Sequence, residues 1–234
     1  MGGKKYQREC RETMMDQAIT EKREPMAVHA PILIGSPAPR FVARTTMGER
    51  SLDGYRSRWL VLFSHPADFT PVCTSEFVSF SKAYPKFQKL DCDLLALSVD
   101  SLFSHVAWVR SIRDRFKVTV PFPIAEDPSM AIAEAYGMIH PGAADSSTVR
   151  ATFVIDPDGI IRALIWYPMS TGRRVDEILR LVNALQVSDS AAVSTPEGWM
   201  PGDDVIDAAP LSIEASDAPG AGQDHDWYYR VRKL

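Results

Sequence analysis

The chain has 234 residues, 45% hydrophobic and 24% charged, with a formal net charge of −4 and a pI near 5.7. That length and apolar share suit one main domain with appendages, and the mild acidity gives no electrostatic reason to expect nucleic acid or an anionic membrane as partner. No apolar run would span a bilayer and no secretion signal opens the chain, so a cytoplasmic location is expected.

In chain order, residues 1–29 interleave Lys4, Lys5, Arg8 and Arg11 with Glu9, Glu12 and Asp16, and read as a mobile N-terminal extension with little apolar surface. The domain proper spans 30–186. Ile32-Leu33-Ile34 and Phe41-Val42-Ala43 flank a Gly/Pro loop, and Trp59–Ser64 reads as a buried strand. A helix follows from Cys73 to about Tyr84, where Pro85 ends or kinks it; Cys92–Val99 is a second buried strand, parallel to the first. Ser101 is a candidate N-cap for a helix over 102–116 with Val106, Val109, Ile112 and Phe116 at helical spacing. A short segment at Phe122–Ile124, a helix over 129–136 and a polar loop over His140–Ser147 come next. Val149–Asp156 and Ile160–Tyr167 flank Pro157-Asp158-Gly159 and predict an antiparallel hairpin, and Asp176–Gln186 predicts an amphipathic helix. Residues 187–234, rich in Pro, Gly, Asp and Ala and ending with Trp227-Tyr228-Tyr229, read as an extended C-terminal arm suited to packing on a partner subunit. Strand, helix, strand, then hairpin and helix is the element order of an α/β, thioredoxin-like fold: a central mixed sheet flanked by helices.

Three cysteines occur, Cys10, Cys73 and Cys92, with no C-x-x-C pair, which argues against a disulfide framework or zinc ribbon. The five histidines are scattered without metal-ligand spacing, so neither metal nor cofactor is expected. Cys73 stands apart. It lies between a strand and a helix, where the positive end of the macrodipole and free backbone N–H groups favour thiolate, the reactive form. Cys92, in an apolar strand pattern, reads as core, and Cys10 as a stray thiol of the extension.

At Pro66-x-x-x-Thr70-x-x-Cys73 the chain resembles the peroxiredoxins, thiol peroxidases of thioredoxin fold. The longer string Ser64–Glu76 is similar to the one-cysteine branch and its archaeal-type relatives. Leu97–Ser101, His105-Val106-Ala107-Trp108, Pro121–Ile124, Arg150, and Tyr167-Pro168 with Gly172-Arg173 extend the likeness over roughly 30–210. The resemblance implies that Cys73 is the peroxidatic nucleophile, becoming a sulfenic acid as it releases water or an alcohol. It implies that the Thr70 hydroxyl accepts from the peroxide and donates toward the thiolate, that Arg150 supplies positive charge to sulfur and oxygen, and that Pro66 shields the sulfur. His65 takes the position beside the thiolate, and Glu76 and Arg173 resemble partners that orient Arg150.

No cysteine follows Cys92, so the resemblance implies a one-cysteine cycle that reduces hydrogen peroxide and organic hydroperoxides and is completed by an external thiol, such as thioredoxin or glutathione. It also implies a homodimer, or a ring of five dimers. Glu76 stands where a thiol–disulfide oxidoreductase needs its second thiol, and Gly54-Tyr55-Arg56-Ser57-Arg58 lacks the G-x-S-x-G spacing of phospholipase-active relatives. A holdase-type chaperone or redox-sensing scaffold on the same fold is the non-enzymatic alternative.

Overall fold

Apolar residues occupy successive positions in the two central strands, because both sheet faces are covered. The computed structural model describes residues 32–139, 148–218, 220 and 222–234, and Ile32–Leu234 forms one unit. The expected N-terminal extension, Cys10 and the polar loop His140–Ser147 lie outside the described residues. Strands β1 (Val42–Thr45), β2 (Gly48–Ser51), β3 (Trp59–Ser64), β4 (Cys92–Ser98), β5 (Ile124–Glu126), β6 (Arg150–Ile155) and β7 (Ile161–Tyr167) form one sheet in the order β2-β1-β5-β4-β3-β6-β7. Pairs β3·β4 and β4·β5 are parallel, whereas β3·β6 and β6·β7 are antiparallel. This is the mixed α/β sheet expected from the element order.

Within β3, Val61 and Phe63 point into one core with Phe77, Phe80, Trp108, Phe122 and Ile178, while Leu60 and Leu62 point into the other with Leu95, Tyr136 and Phe153. Each such fully buried side chain contributes about 1.5–3 kcal/mol. Helices α1 (Pro71–Gln88), α2 (Leu102–Phe116) and α4 (Val175–Ala191) supply the first core, and the short α3 (Ala131–Ala135) belongs to the second. Among the described residues no helix is long and apolar enough to cross a membrane.

Four elements depart from the sequence reading, and one of them is α4, which runs five residues past its expected end at Gln186. Helix α1 starts two residues before Cys73, with Pro71 in its first turn, and continues through Pro85 to Gln88. Pro85 lacks the N–H that would bond the Ser81 carbonyl, but Phe80, Ala83 and Phe87 are all core residues and hold the last turn in place. On α2 the buried stripe is His105, Trp108 and Ile112; Ile112 is as expected and Val109 packs at the edge of the core, but His105 and Trp108 replace Val106 and Phe116 is 53% exposed. The Ser101 cap is present, its side chain accepting from the Ser104 N–H.

The C-terminal segment is the fourth departure, because it is folded rather than extended. Strands β8 (Val205–Ile206), β9 (Gln223–Asp226) and β10 (Tyr229–Arg232) make an antiparallel sheet, with α5 (Ile213–Asp217) between β8 and β9. Its link to the rest is a third cluster in which Trp199 and Val205 meet Ala184 of α4. Trp227 and Tyr228 form the hairpin tip and are about half exposed.

Candidate active site

The carboxyl end of β3 delivers the chain into a loop, His65–Thr70, that ends at the start of α1. Thr70 is the N-cap residue in extended conformation, yet its side chain caps no N–H; its hydroxyl donates instead to the Ala67 carbonyl at 2.8 Å. Phe69 adopts the left-handed region at φ 56°, which turns the loop into the helix and leaves its ring outside. Cys73 therefore sits in the first turn of an 18-residue helix whose leading N–H groups lack intrahelical partners. It is nevertheless fully buried.

Arg150, at the start of β6, reaches that sulfur. Its Nη1 lies 3.3 Å from Cys73 Sγ and 2.9 Å from Glu76 Oε2, while Nε and Nη2 both donate to the Met169 carbonyl, at 3.0 and 2.8 Å. Glu76 faces the same way as Cys73 because it follows three residues later on the helix. Arg173 closes the network: its backbone N–H and Nε donate to Glu76 Oε1 at 2.7 and 2.9 Å, and its Nη2 to Oε2 at 2.8 Å. The Arg173 guanidinium also stacks on Phe63, 5.1 Å from the ring centre, and bonds the Ala151 carbonyl and the Thr152 hydroxyl. Burial opposes the charged form of Glu76, but the hydrogen bonds and charge of Arg173, joined by Arg150, outweigh it and hold the carboxyl below its usual range. Two guanidinium groups, one carboxylate and one thiolate would balance to zero net charge, a condition for burying all four.

A second buried network lies alongside. His65 Nε2 and His105 Nδ1 contact the two oxygens of Asp68, at 2.9 and 2.8 Å. Burial disfavours the Asp68 carboxylate, yet the ring N–H groups of His105 and His65 overcome this and keep it ionised below the ordinary carboxylate range. Burial pushes His65 down against the pull of Asp68, so its ring is neutral at pH 7. His65 packs against Phe77 and Trp108, with ring centres 5.0 and 5.2 Å away, and its Nδ1 makes no hydrogen bond. Asp68 is pinned in turn, its backbone N–H bonding Asp100 Oδ2 at 2.8 Å. His65, Asp68 and His105 have the donor chemistry of a metal site, but each facing ring nitrogen already spends its proton on the carboxylate.

The fold thus joins four of the residues singled out from the sequence, Cys73, Glu76, Arg150 and Arg173, in one hydrogen-bonded chain. His65 belongs to a different chain with Asp68, and Pro66 is buried beside it. The Thr70 hydroxyl has its proton on Ala67 and not on the sulfur. Asp68, His105 and the Met169 carbonyl were given no role from the sequence, although His105 opens one of the strings that carry the resemblance. The His65-x-x-Asp68 spacing by itself does not reveal the distant partner His105, and a backbone carbonyl leaves no sequence signal. Beside the loop, Phe69, Thr70, Thr74, Trp108, Ile112 and Phe116 line a groove of about 370 Å³.

A lone cysteine at a helix start, held against a buried arginine on a mixed sheet of this order, marks a thiol-dependent oxidoreductase of thioredoxin-like fold. Comparison with known proteins narrows the class. Residues 34–164 match the AhpC/TSA family, and residues 184–215 match the C-terminal domain of 1-Cys peroxiredoxin. A peroxiredoxin of Aquifex aeolicus is 54% identical over 169 residues, 72% of this chain and 76% of that protein. Peroxiredoxin 2 of Thermoplasma acidophilum is 43% identical over 201 residues, 86% of this chain and all of its own. Among solved structures, a yeast mitochondrial 1-Cys peroxiredoxin superposes with a TM-score of 0.79 at 40% identity, covering 87% of this chain and 100% of the other. A cysteine mutant of peroxiredoxin 6 from Arenicola marina gives 0.73 at 36% identity, with 78% and 86% covered. The chain belongs to the peroxiredoxin family and is a thiol-dependent peroxidase.

Proposed function

We propose that this peroxidase reduces hydrogen peroxide and organic hydroperoxides by a one-cysteine cycle centred on Cys73. The observation that carries the reading is the 3.3 Å contact between Arg150 Nη1 and Cys73 Sγ inside a fully buried site. The Cys73 thiolate attacks one peroxide oxygen; an S–O bond forms, the O–O bond breaks, and the departing oxygen takes a proton and leaves as water or alcohol. Sulfur loses two electrons and ends as a sulfenic acid. Charge moves from sulfur to the leaving oxygen, so a donor that spans both positions stabilises the transition state more than the ground state. Arg150 has that reach, Glu76 and Arg173 hold it in orientation, Thr70 and Pro66 shape the peroxide's approach, and His65 supports the loop.

Reduction then falls to two equivalents of an external thiol, which return Cys73 to the thiol and release water and a disulfide. Cys92 is the only other cysteine among the described residues; it pairs with Trp59 at the far end of β3, about 16 Å of strand from the loop. Burial pushes its thiol far above the ordinary range. The yeast neighbour was solved for thiol resolution via glutathione/thioredoxin systems, and a reductant of that kind suits this chain in a reducing cytoplasm. In this reading residues 30–186 carry the peroxidase, 1–29 an extension, and 187–234 an arm whose exposed Leu211, Ile213 and Trp227 suit a homodimer or a ring of five dimers.

Stopped-flow oxidation by hydrogen peroxide and an organic hydroperoxide, followed by trapping and mass spectrometry, tests the cycle. A sulfenic adduct on Cys73 without an intrachain disulfide is expected, and none in Cys73→Ser. A Cys73–Cys10 or Cys73–Cys92 disulfide would overturn the one-cysteine reading.

A further inference from the structure

The backbone ladder between β3 and β6 pairs Leu60 with Ile155 through Phe63 with Thr152, and there it stops. Arg150 lies beyond its end. What continues the connection is a pair of hydroxyl groups, both fully buried. Ser64 Oγ donates to the Val149 carbonyl at 2.5 Å and accepts from the Ala151 N–H at 3.1 Å, so it spans the residues on either side of Arg150. The same Ala151 N–H also faces the Val149 carbonyl at 3.0 Å, which makes a three-residue turn with Arg150 at its apex. One residue along, Thr148 Oγ1 donates to the His65 carbonyl at 2.9 Å. His65 in turn is tied to β4 through its N–H to Leu97, at 3.0 Å.

These bonds join two backbone segments. One carries Arg150. The other opens the loop that leads into α1 and Cys73. The Met169 carbonyl and Glu76 orient the guanidinium, but they do not set where the Arg150 backbone stands relative to the loop. We propose that Ser64 and Thr148 are positioning residues that fix the Arg150–Cys73 separation through the backbone, their hydroxyls linking the two segments beyond the end of the direct backbone pairing. Neither touches the sulfur. A reacting group must be held within a fraction of an ångström of its productive place, and a 1 Å error costs about 10²-fold in rate.

This inference rests on the reading of Arg150 given above, and the test separates the two. Wild type, Arg150→Ala, Thr148→Val and Thr148→Ser are compared in single-turnover oxidation by hydrogen peroxide and in alkylation of Cys73 by iodoacetamide, with folding checked by circular dichroism. Valine keeps the shape of threonine and loses the hydroxyl; serine keeps the hydroxyl and loses the methyl group. Positioning by the hydroxyl predicts that Thr148→Val oxidises about tenfold more slowly while Thr148→Ser stays within about twofold. Alkylation, which needs access to the sulfur but no aligned oxygen, does not rise in Thr148→Val; a merely loosened structure would raise it. A serine variant as slow as the valine variant, or a valine variant at the wild-type rate, overturns the inference. If Thr148→Val does not fold, Ser64→Ala takes its place, with slowed oxidation expected and a wild-type rate overturning the proposal. Should Arg150→Ala itself keep the wild-type rate, the assigned role of Arg150 fails first; if Arg150→Ala is slow and the hydroxyl variants are normal, only the positioning role fails.

Discussion

Replacing Glu76 by glutamine removes one charge and leaves the side-chain shape unchanged, which isolates the electrostatics of the buried network. Glu76 accepts four hydrogen bonds, three from Arg173 and one from Arg150, at 2.7–2.9 Å. An amide keeps one acceptor oxygen; its NH2 group then confronts guanidinium N–H groups with nothing to accept it. Both arginines are buried, so the variant leaves an uncompensated positive charge, and breaking a buried pair in this way costs about 3–5 kcal/mol. For a chain of this size that corresponds to a loss of about 6–20 °C in Tm. Urea unfolding of Glu76→Gln, with the slope m required to match wild type, measures it directly. Because the Glu76 carboxyl is held below its usual range, its contribution is complete above an ordinary carboxylate pKa of about 4.3 and is lost as pH falls through the folded value. The two proteins should therefore differ most near neutrality and converge in acid. A difference below about 1 kcal/mol at pH 7 would refute the claim that Glu76 is the counter-charge that allows two guanidinium groups to be buried.

Two further outcomes follow from the neighbouring groups. His65 is held neutral by burial, so the unfolded chain takes up a proton near pH ~6.5 that the folded chain refuses. Stability is full above that pH and declines below it by up to about 1.4 kcal/mol per pH unit; a thermal-melt series should show the decline between pH 6.5 and 5 in wild type and a flatter line in His65→Gln, and a flat wild-type line would contradict the buried neutral ring. Cys92→Ala should cost about 1–3 kcal/mol in urea unfolding, as a small core truncation does, while leaving the peroxide rate within about twofold; a tenfold slower reaction would make Cys92 part of the chemistry.

The parts of this structure that were legible in the sequence are those with a local cause. A proline–threonine–cysteine spacing at a strand-to-helix junction, the Pro157-Asp158-Gly159 turn and the Ser101 cap each act within a few residues. Arg150, Glu76 and Arg173 were reached through likeness to a family, and the structure brings them into contact with one another. Other features had no local cause. Asp68 is a loop carboxylate until the fold sets His105, 37 residues later, on its second oxygen. Pro85 reads as a helix end because the burial of Phe80 and Phe87 that overrides it is tertiary. The C-terminal strands are two to four residues long, too short to show an alternation. Ser64 and Thr148 look like ordinary strand-edge residues, since nothing in sequence says that the backbone ladder stops just short of Arg150.

A hydroxyl has a single hydrogen, and in this loop the hydrogen of Thr70 is already committed to the Ala67 carbonyl. To a bound peroxide Thr70 can then offer only lone pairs, whereas Arg150 can offer only N–H groups. In the proposed cycle, an oxygen–oxygen bond held by both meets an acceptor on one side and donors on the other. A hydroperoxide, with one O–H end and one bare oxygen, has the matching polarity. A dialkyl peroxide has no hydrogen to give and would leave the lone pairs of Thr70 facing its own. In the proposed cycle, the direction of one intraloop hydrogen bond thus favours substrates that carry a peroxidic proton.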